Sequence, residues 1–216
     1  MPLALLFDLD GTLMDTLDVI VLAMNAACDE IGVSPPFRSA ELRPMIGTPV
    51  QRQLRDLRGV TGPRAEVFTD AYYTHFSRSV DDGIQLYPGV SETFPILAGR
   101  AMTTMSTRRR TQAERMLRVA GLRSYFQDVV GGDQAARPKP NPDLPLLGAK
   151  LLRVPPDRCA VIGDSPVDIL AGRAAGMKAV GVLYGYGDGT AIGEARPDAS
   201  IQRFADLPKA LEALEP

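Results

Sequence analysis

Leu3-Ala4-Leu5-Leu6-Phe7-Asp8-Leu9-Asp10-Gly11-Thr12-Leu13-Met14-Asp15 is the stretch that decides the fold. Residues 3–7 are apolar without a break, and the run stops at Asp8. A short unbroken apolar run fits a strand buried on both faces, which is the signature of a parallel sheet covered by helices. Residues 159–162 (Cys-Ala-Val-Ile) repeat the pattern and end at Gly163-Asp164. Residues 101–105 form a weaker copy that ends at Ser106, and shorter runs lie at 128–130 and 179–183. A sixth, edge strand is expected near 199–201.

Helical patterns lie between these runs. Ala113, Met116, Leu117 and Ala120 share one helix face, and residues 167–175 follow Ser165-Pro166, a good helix start. Strands alternating with helices predict an α/β fold with a parallel sheet. Residues 16–87 break the alternation. Leu17, Ile20, Val21, Met24, Ala27, Cys28 and Ile31 recur at helical spacing, as do Val50, Leu54 and Leu57, and then Phe68, Tyr72, His75 and Phe76. Nothing in 16–87 reads as a strand. The expected organisation is a core domain of residues 1–15 and 88–216, with an all-helical insert over 16–87. Its hinges are expected near Asp15-Thr16 and Leu86-Tyr87-Pro88-Gly89.

The 216 residues are enough for one such core plus its insert; domains run about 100–200 residues. At 45% hydrophobic and 23% charged, the composition is that of a globular chain. A net charge of -2 supplies no basic field for nucleic acid. Cys28 and Cys159 are the only cysteines, each in an apolar run, and both read as buried thiols. Asp8 and Asp10 interrupt the only apolar run near the N-terminus, so no signal peptide, no membrane span and a cytoplasmic location are expected.

Three predicted strands end in Asp8, Ser106 and Asp164. Ligands of open parallel sheets bind outside the carboxyl ends of the strands. Residues far apart in sequence are therefore expected on one rim. A single aspartate after a strand reads as a turn or a helix cap; three polar strand ends together weaken that reading.

Asp8-Leu9-Asp10-Gly11-Thr12 directly after a buried strand resembles the first signature of the haloacid dehalogenase-like hydrolases. Ser106 resembles the second, Lys139 within Arg137-Pro138-Lys139-Pro140 the third, and Gly163-Asp164-Ser165-Pro166-Val167-Asp168 the fourth. The order is that of the superfamily, and the insert after the first signature resembles its helical cap. The look is that of phosphoglycolate phosphatase-like members. The resemblance implies a Rossmann-like parallel sheet with strand order about 3-2-1-4-5 and a small helical cap domain. It also implies hydrolysis of a small organic phosphate monoester.

The roles the resemblance implies are these. Asp8 is the nucleophile and becomes an aspartyl phosphate. Asp10 is the general acid and then the base. Ser106 and Lys139 hold and neutralise the phosphoryl oxygens. Three aspartates and a phosphate would repel one another, so a Mg²⁺ ion is implied, held by the Asp8 and Asp164 side chains and the Asp10 carbonyl. Asp168, four residues beyond Asp164, is placed near the outer ligands of that metal. Only four residues of the twenty-four Lys and Arg are lysines, which makes a retained lysine at position 139 more pointed.

Candidate substrate contacts are Thr12, Gly47, Thr48, Thr107 and Arg108. Gly47 and Thr48 come from Met45-Ile46-Gly47-Thr48-Pro49, which resembles the family's substrate-specificity turn and is flanked by Arg43 and Arg52. Thr107 stands where many relatives have Asn, which puts any contact carried over from that Asn in doubt. Arg108, Arg109 and Arg110 read as a solvated charge run with some reach for an anionic substrate. His75 reads as a packed residue of a helix stripe, and residues 184–189 as a mobile surface loop. Asp10 argues against the dehalogenase and phosphonate-cleaving relatives, which lack it. Thr48-Pro49-Val50, without a basic residue, tilts the reading from a sugar-phosphate mutase towards hydrolysis. A receiver domain would be shorter and carry its aspartate on a later strand. A non-catalytic binding protein would be expected to have lost Asp8, Asp10 or Asp164.

Overall fold

The computed structural model describes residues 2–215. The chain divides into two units, one of residues up to Asp15 and from Gln85 onward, the other of Thr16–Ile84. In chain order the first elements are β1 (Ala4–Phe7), β2 (Met14–Asp15), α1 (Leu17–Ile31), α2 (Ser39–Leu42), α3 (Val50–Arg58) and α4 (Pro63–Asp81). Then follow β3 (Gln85–Leu86), α5 (Val90–Leu97), β4 (Met102–Thr104), α6 (Arg110–Val119) and α7 (Asp143–Leu152). The last are β5 (Cys159–Gly163), α8 (Pro166–Ala174), β6 (Lys178–Val182), α9 (Gly189–Glu194), β7 (Ala199–Ile201) and α10 (Leu207–Leu214).

In the first unit, five parallel strands form a sheet in the order β4-β1-β5-β6-β7. β1 is buried along its whole length, as its unbroken apolar sequence requires. Successive side chains point to opposite faces. Phe7 meets Phe94 of α5 at 5.6 Å, Phe126 at 6.0 Å and Phe204 at 6.2 Å, an aromatic cluster on one side. Ala4 and Leu6 join Leu144 and Ala149 of α7, Val161, and Ile169 of α8 in a second cluster. Burying a side chain of Leu or Phe size contributes about 1.5–3 kcal/mol, so each face of β1 is a substantial part of the core. Phe7 stands opposite Thr104 on one side and Ile162 on the other. Asp8, Ser106 and Asp164 consequently leave the sheet at the same carboxyl edge.

Two features differ from the sequence reading. The strand expected at 128–130 does not form. Gln127 N donates to Met102 O at 2.9 Å, but the ladder goes no further as backbone pairing. The Thr104 hydroxyl donates to Val130 O and accepts from Val130 N, both at 2.7 Å. One side chain thus satisfies both polar groups of Val130, and the segment runs beside β4 without a strand's geometry. The second difference is β3, inside the stretch read as wholly helical. It pairs antiparallel with β2, Met14 opposite Leu86 and Asp15 opposite Gln85. A ladder of two residues has no periodicity to read.

In the second unit, α1 buries Ile20, Ala23, Met24, Ala27 and Cys28, and α4 buries Ala65, Phe68, Ala71, Tyr72, Phe76 and Val80. These recur at intervals of three and four, the spacing of one helix face. His75 Nε2 lies 2.9 Å from Glu30 Oε2, which ties α4 to α1. The Arg58 guanidinium sits 4.1 Å from the centre of the Phe37 ring and donates to Pro35 O and Pro36 O. The turn around Gly47 (φ 88°) is closed from within. Thr48 Oγ1 donates to Met45 O at 2.7 Å, and Gln53 Nε2 donates to Thr48 O at 2.9 Å. Among the described residues, no helix is long and apolar enough to cross a membrane.

Thr104→Val keeps the shape of the side chain and removes the hydroxyl that pairs Val130. An unpaired buried donor or acceptor costs about 1–3 kcal/mol, so the variant should lose at least about 2 kcal/mol in chemical denaturation. An unchanged midpoint would mean that the hydroxyl does not hold this segment.

Candidate active site

The rim at the carboxyl edge of the sheet is assembled by four segments of the first unit. Asp8 follows β1 directly and Asp164 follows β5. Ser106 lies two residues beyond β4, and Lys139 precedes α7. All four side chains are buried, as are those of Asp10 and Asp168. The turn after β1 is tight because Leu9 O accepts from the N–H groups of Thr12, Leu13 and Met14. Gly11 makes that turn possible at φ 82°, where a Cβ would fall 2.1 Å from Asp164 Oδ2.

Lys139 is the hinge of the charge arrangement. Its Nζ lies 3.2 Å from Asp8 Oδ1 and 2.5 Å from Asp168 Oδ1. The other oxygen of Asp168 accepts from Ser165 N at 3.1 Å and Ser165 Oγ at 2.6 Å. Asp168 therefore both caps α8 at its N-terminus and fixes the lysine, a division of labour that the Ser165-Pro166 start of the helix allows.

Asp8, Asp164 and Asp168 each bring an oxygen to within 4.8 Å of the others. Burial pushes the Asp8 carboxyl well above the usual range; Lys139 works against this, while Asp168, Asp164 and Asp10 add to it. Burial also pushes Asp164 up to about 7, reinforced by Asp168 and opposed by the Tyr186 N–H. Burial opposes the charge on Lys139, but Asp168 and Asp8 outweigh it and hold the ammonium protonated. One buried lysine thus faces three carboxylates. Their all-oxygen donor set and close spacing fit a hard divalent cation, whose charge would relieve the repulsion.

Arg108 is the main departure from the sequence reading. It is not part of a solvated run. It is 8% exposed, and its Nε and Nη2 donate to Asp10 Oδ2 at 2.9 Å and Oδ1 at 2.8 Å. Arg109 and Arg110 are exposed, and Arg110 N is capped by Asp133 Oδ1 at 2.7 Å at the start of α6. No local pattern separates these three arginines. Only the long-range pairing with Asp10 does.

The segment 184–189 also differs from its reading as a mobile loop. Tyr184 Oη donates to Thr12 O at 2.7 Å, Tyr186 N donates to Asp164 Oδ2 at 2.8 Å, and Tyr186 Oη donates to Asp15 Oδ1 at 2.8 Å. Its glycines serve close approach: a Cβ on Gly185 would lie 2.3 Å from Gly11 O and 2.4 Å from Asp164 Cβ. The alternation of Tyr and Gly was the available signal.

Of the remaining candidates, Thr12 points its hydroxyl at Asp164 Oδ1, 3.4 Å away. The Ser106 hydroxyl accepts from Arg108 N at 3.1 Å. Thr107 is half-buried beside it. Gly47 and Thr48 belong to the helical unit, where Arg52 forms an exposed pair with Asp56 at 3.4 Å. Cys28 and Cys159 are free and buried, and burial pushes both thiols up to about 11.

Comparison with known proteins points the same way. Residues 5–182 match the family model described as haloacid dehalogenase-like hydrolase. A phosphoglycolate phosphatase of Chromobacterium violaceum is 32% identical over 95% of this chain and 96% of its own length. The pyrophosphatase PpaX of Listeria welshimeri is 30% identical over 94% of this chain and 93% of its own. Among solved structures, CbbY from Rhodobacter sphaeroides in complex with xylulose-(1,5)bisphosphate superposes with a TM-score of 0.86 at 25% identity, over 98% of this chain and 99% of that one.

The raised carboxyl of Asp164 sets a pH dependence. Between its ordinary value and about 7, the folded protein holds a proton that the unfolded chain has released. Without a divalent cation, stability should therefore fall as pH rises across that window. Asp164→Asn removes this contribution and should raise Tm relative to the parent above pH ~7; each kcal/mol is worth roughly 2–4 °C in a chain of this size. A divalent cation should raise the parent's Tm and not the variant's. Parallel pH profiles of Tm for the two proteins would contradict the charge reading.

Proposed function

Because the chain belongs to the haloacid dehalogenase-like hydrolases and is a phosphatase among them, we propose that it is a Mg²⁺-dependent hydrolase of small phosphate monoesters that works through an aspartyl phosphate on Asp8. The observation that carries this reading is the buried Asp8 carboxylate paired at 3.2 Å with Lys139, itself held by Asp168. In the first step an Asp8 oxygen forms a bond to phosphorus as the bond to the ester oxygen breaks, and Asp10 gives the leaving oxygen a proton. In the second, water attacks the same phosphorus, Asp10 takes its proton and the Asp8 carboxylate is released as inorganic phosphate leaves. The two half-reactions run in opposite senses, so one carboxyl serves both.

Lys139 neutralises phosphoryl oxygens in both steps, and the Ser106 hydroxyl donates to one of them. The Asp8 and Asp164 carboxylates and the Asp10 backbone carbonyl would hold Mg²⁺. Bound there, the ion would supply positive charge against the phosphoryl oxygens in a site whose carboxylates otherwise repel them. Tyr186 N and Thr12 Oγ1 fix the Asp164 oxygens in place for that purpose. The helical unit is assigned the part of the family's cap domain, with Gly47 and Thr48 as candidates for substrate choice. The expected substrate is a small phosphorylated metabolite in the cytoplasm. The relatives named for phosphoglycolate and pyrophosphate set the size range.

The test is phosphate release from a panel of small esters, with Mg²⁺ and with chelator, for the parent and Asp8→Asn. Release that needs the metal and falls at least about a thousandfold in the variant is expected. Undiminished release by Asp8→Asn would overturn the proposal.

A further inference from the structure

The Arg108–Asp10 pair is not accounted for by the chemistry of the phosphoryl group. Both Asp10 oxygens accept from the guanidinium, at 2.9 and 2.8 Å, in the bidentate fork geometry that arginine makes with planar anions. The backbone beneath this side chain is anchored on both sides. Arg108 N donates to Ser106 Oγ at 3.1 Å, and Arg108 O accepts from Gly132 N at 2.7 Å. A Cβ on Gly131 would fall 2.8 Å from that carbonyl, so the segment carrying Gly131 and Gly132 is packed against Arg108. The guanidinium is therefore presented from a fixed base, unlike the exposed side chains of Arg109 and Arg110.

Its position has a consequence for the substrate. If Asp10 serves the leaving oxygen, as the proposed function holds, then a cation touching both Asp10 oxygens lies beside the leaving group rather than the transferred phosphoryl group. Lys139, by contrast, stands against Asp8, on the phosphoryl side. The two buried cations of the rim divide between the two halves of the ester. We infer that Arg108 is a specificity-determining residue that recognises a second anionic group on the leaving-group side of the substrate, a carboxylate or phosphate one or two atoms from the ester oxygen. Such a group presents the same planar or multi-oxygen face that Asp10 offers, and shares the fork with it. A neutral leaving group does not compete with Asp10 for the fork.

This inference rests on the phosphatase reading, and the experiment separates the two. Parent, Arg108→Gln and Arg108→Lys are assayed with 2-phosphoglycolate and pyrophosphate as anionic-leaving-group probes. 2-Hydroxyethyl phosphate is the neutral counterpart of the first. A charged hydrogen-bonding partner removed from a buried site costs about 10- to 100-fold in discrimination. The ratio of kcat/KM for 2-phosphoglycolate over 2-hydroxyethyl phosphate should fall by that factor in Arg108→Gln, largely through KM. Arg108→Lys should restore part of it, as a point charge without the fork. Thermal unfolding of each variant establishes that it is folded. Equal losses with both esters, leaving the ratio unchanged, would overturn the inference and make Arg108 a support for Asp10 alone. No preference for the anionic ester in the parent would overturn it too. A parent that hydrolyses none of the three would instead sink the phosphatase reading beneath it.

Discussion

A lysine ammonium held between two aspartates in the buried rim of a parallel sheet is the constraint around which this structure is arranged. Lys139 reaches Asp8 at 3.2 Å and Asp168 at 2.5 Å, all three buried. Charges removed from water are tolerated only when paired and hydrogen-bonded, and losing one partner is costly. The surroundings supply the pairing. Asp168 is held by Ser165 at the start of α8, Asp164 by Tyr186 N, and Asp10 by Arg108. The balance remains short of positive charge around Asp8 and Asp164, and this shortage is what a divalent cation would meet.

That economy explains features remote from the chemistry. The glycines of the segment after β6 permit its backbone to touch Gly11 O and Asp164, so the β6 loop buttresses the ends of β1 and β5 at once. The Thr104 hydroxyl replaces a strand ladder at Val130 and lets the chain turn towards Gly131 and Gly132, against which residues 107–110 pack. The segment that carries Ser106 and Arg108 is thereby fixed from below. Rigid support of this kind is what preorganised charge requires, because a donor that must move to meet developing charge gives up part of its effect.

Much of this was legible in the sequence. The run of residues 3–7 stopping at Asp8 announced a doubly buried strand, and the same grammar at 159–164 announced its neighbour. The signatures around Asp8, Ser106 and Asp164 fall on one edge because the parallel register brings their strand ends together, and Lys139, just before α7, joins them through Asp8 and Asp168. What was not legible had a common cause. The place of Arg108 depends on a partner ninety-eight positions away, and three arginines in a row carry no mark of which will be buried. The tyrosine-glycine segment reads as mobile because glycine signals both freedom and close approach, and only the neighbours of Gly185 tell the two apart. The missing strand at 128–130 turned on one hydroxyl, which β-propensity alone cannot weigh.

The central claim is that Asp8 carries the phosphoryl group between the two half-reactions. The most direct measurement is acid-quenched peptide mass mapping of the Asp10→Asn variant mixed with p-nitrophenyl phosphate. That leaving group departs without a proton, while the second step lacks its base, so the intermediate should accumulate. The account expects a burst of nitrophenolate and one phosphoryl group on the peptide carrying Asp8. A phosphoryl group on another residue, or a full burst with Asp8 unmodified, would contradict it.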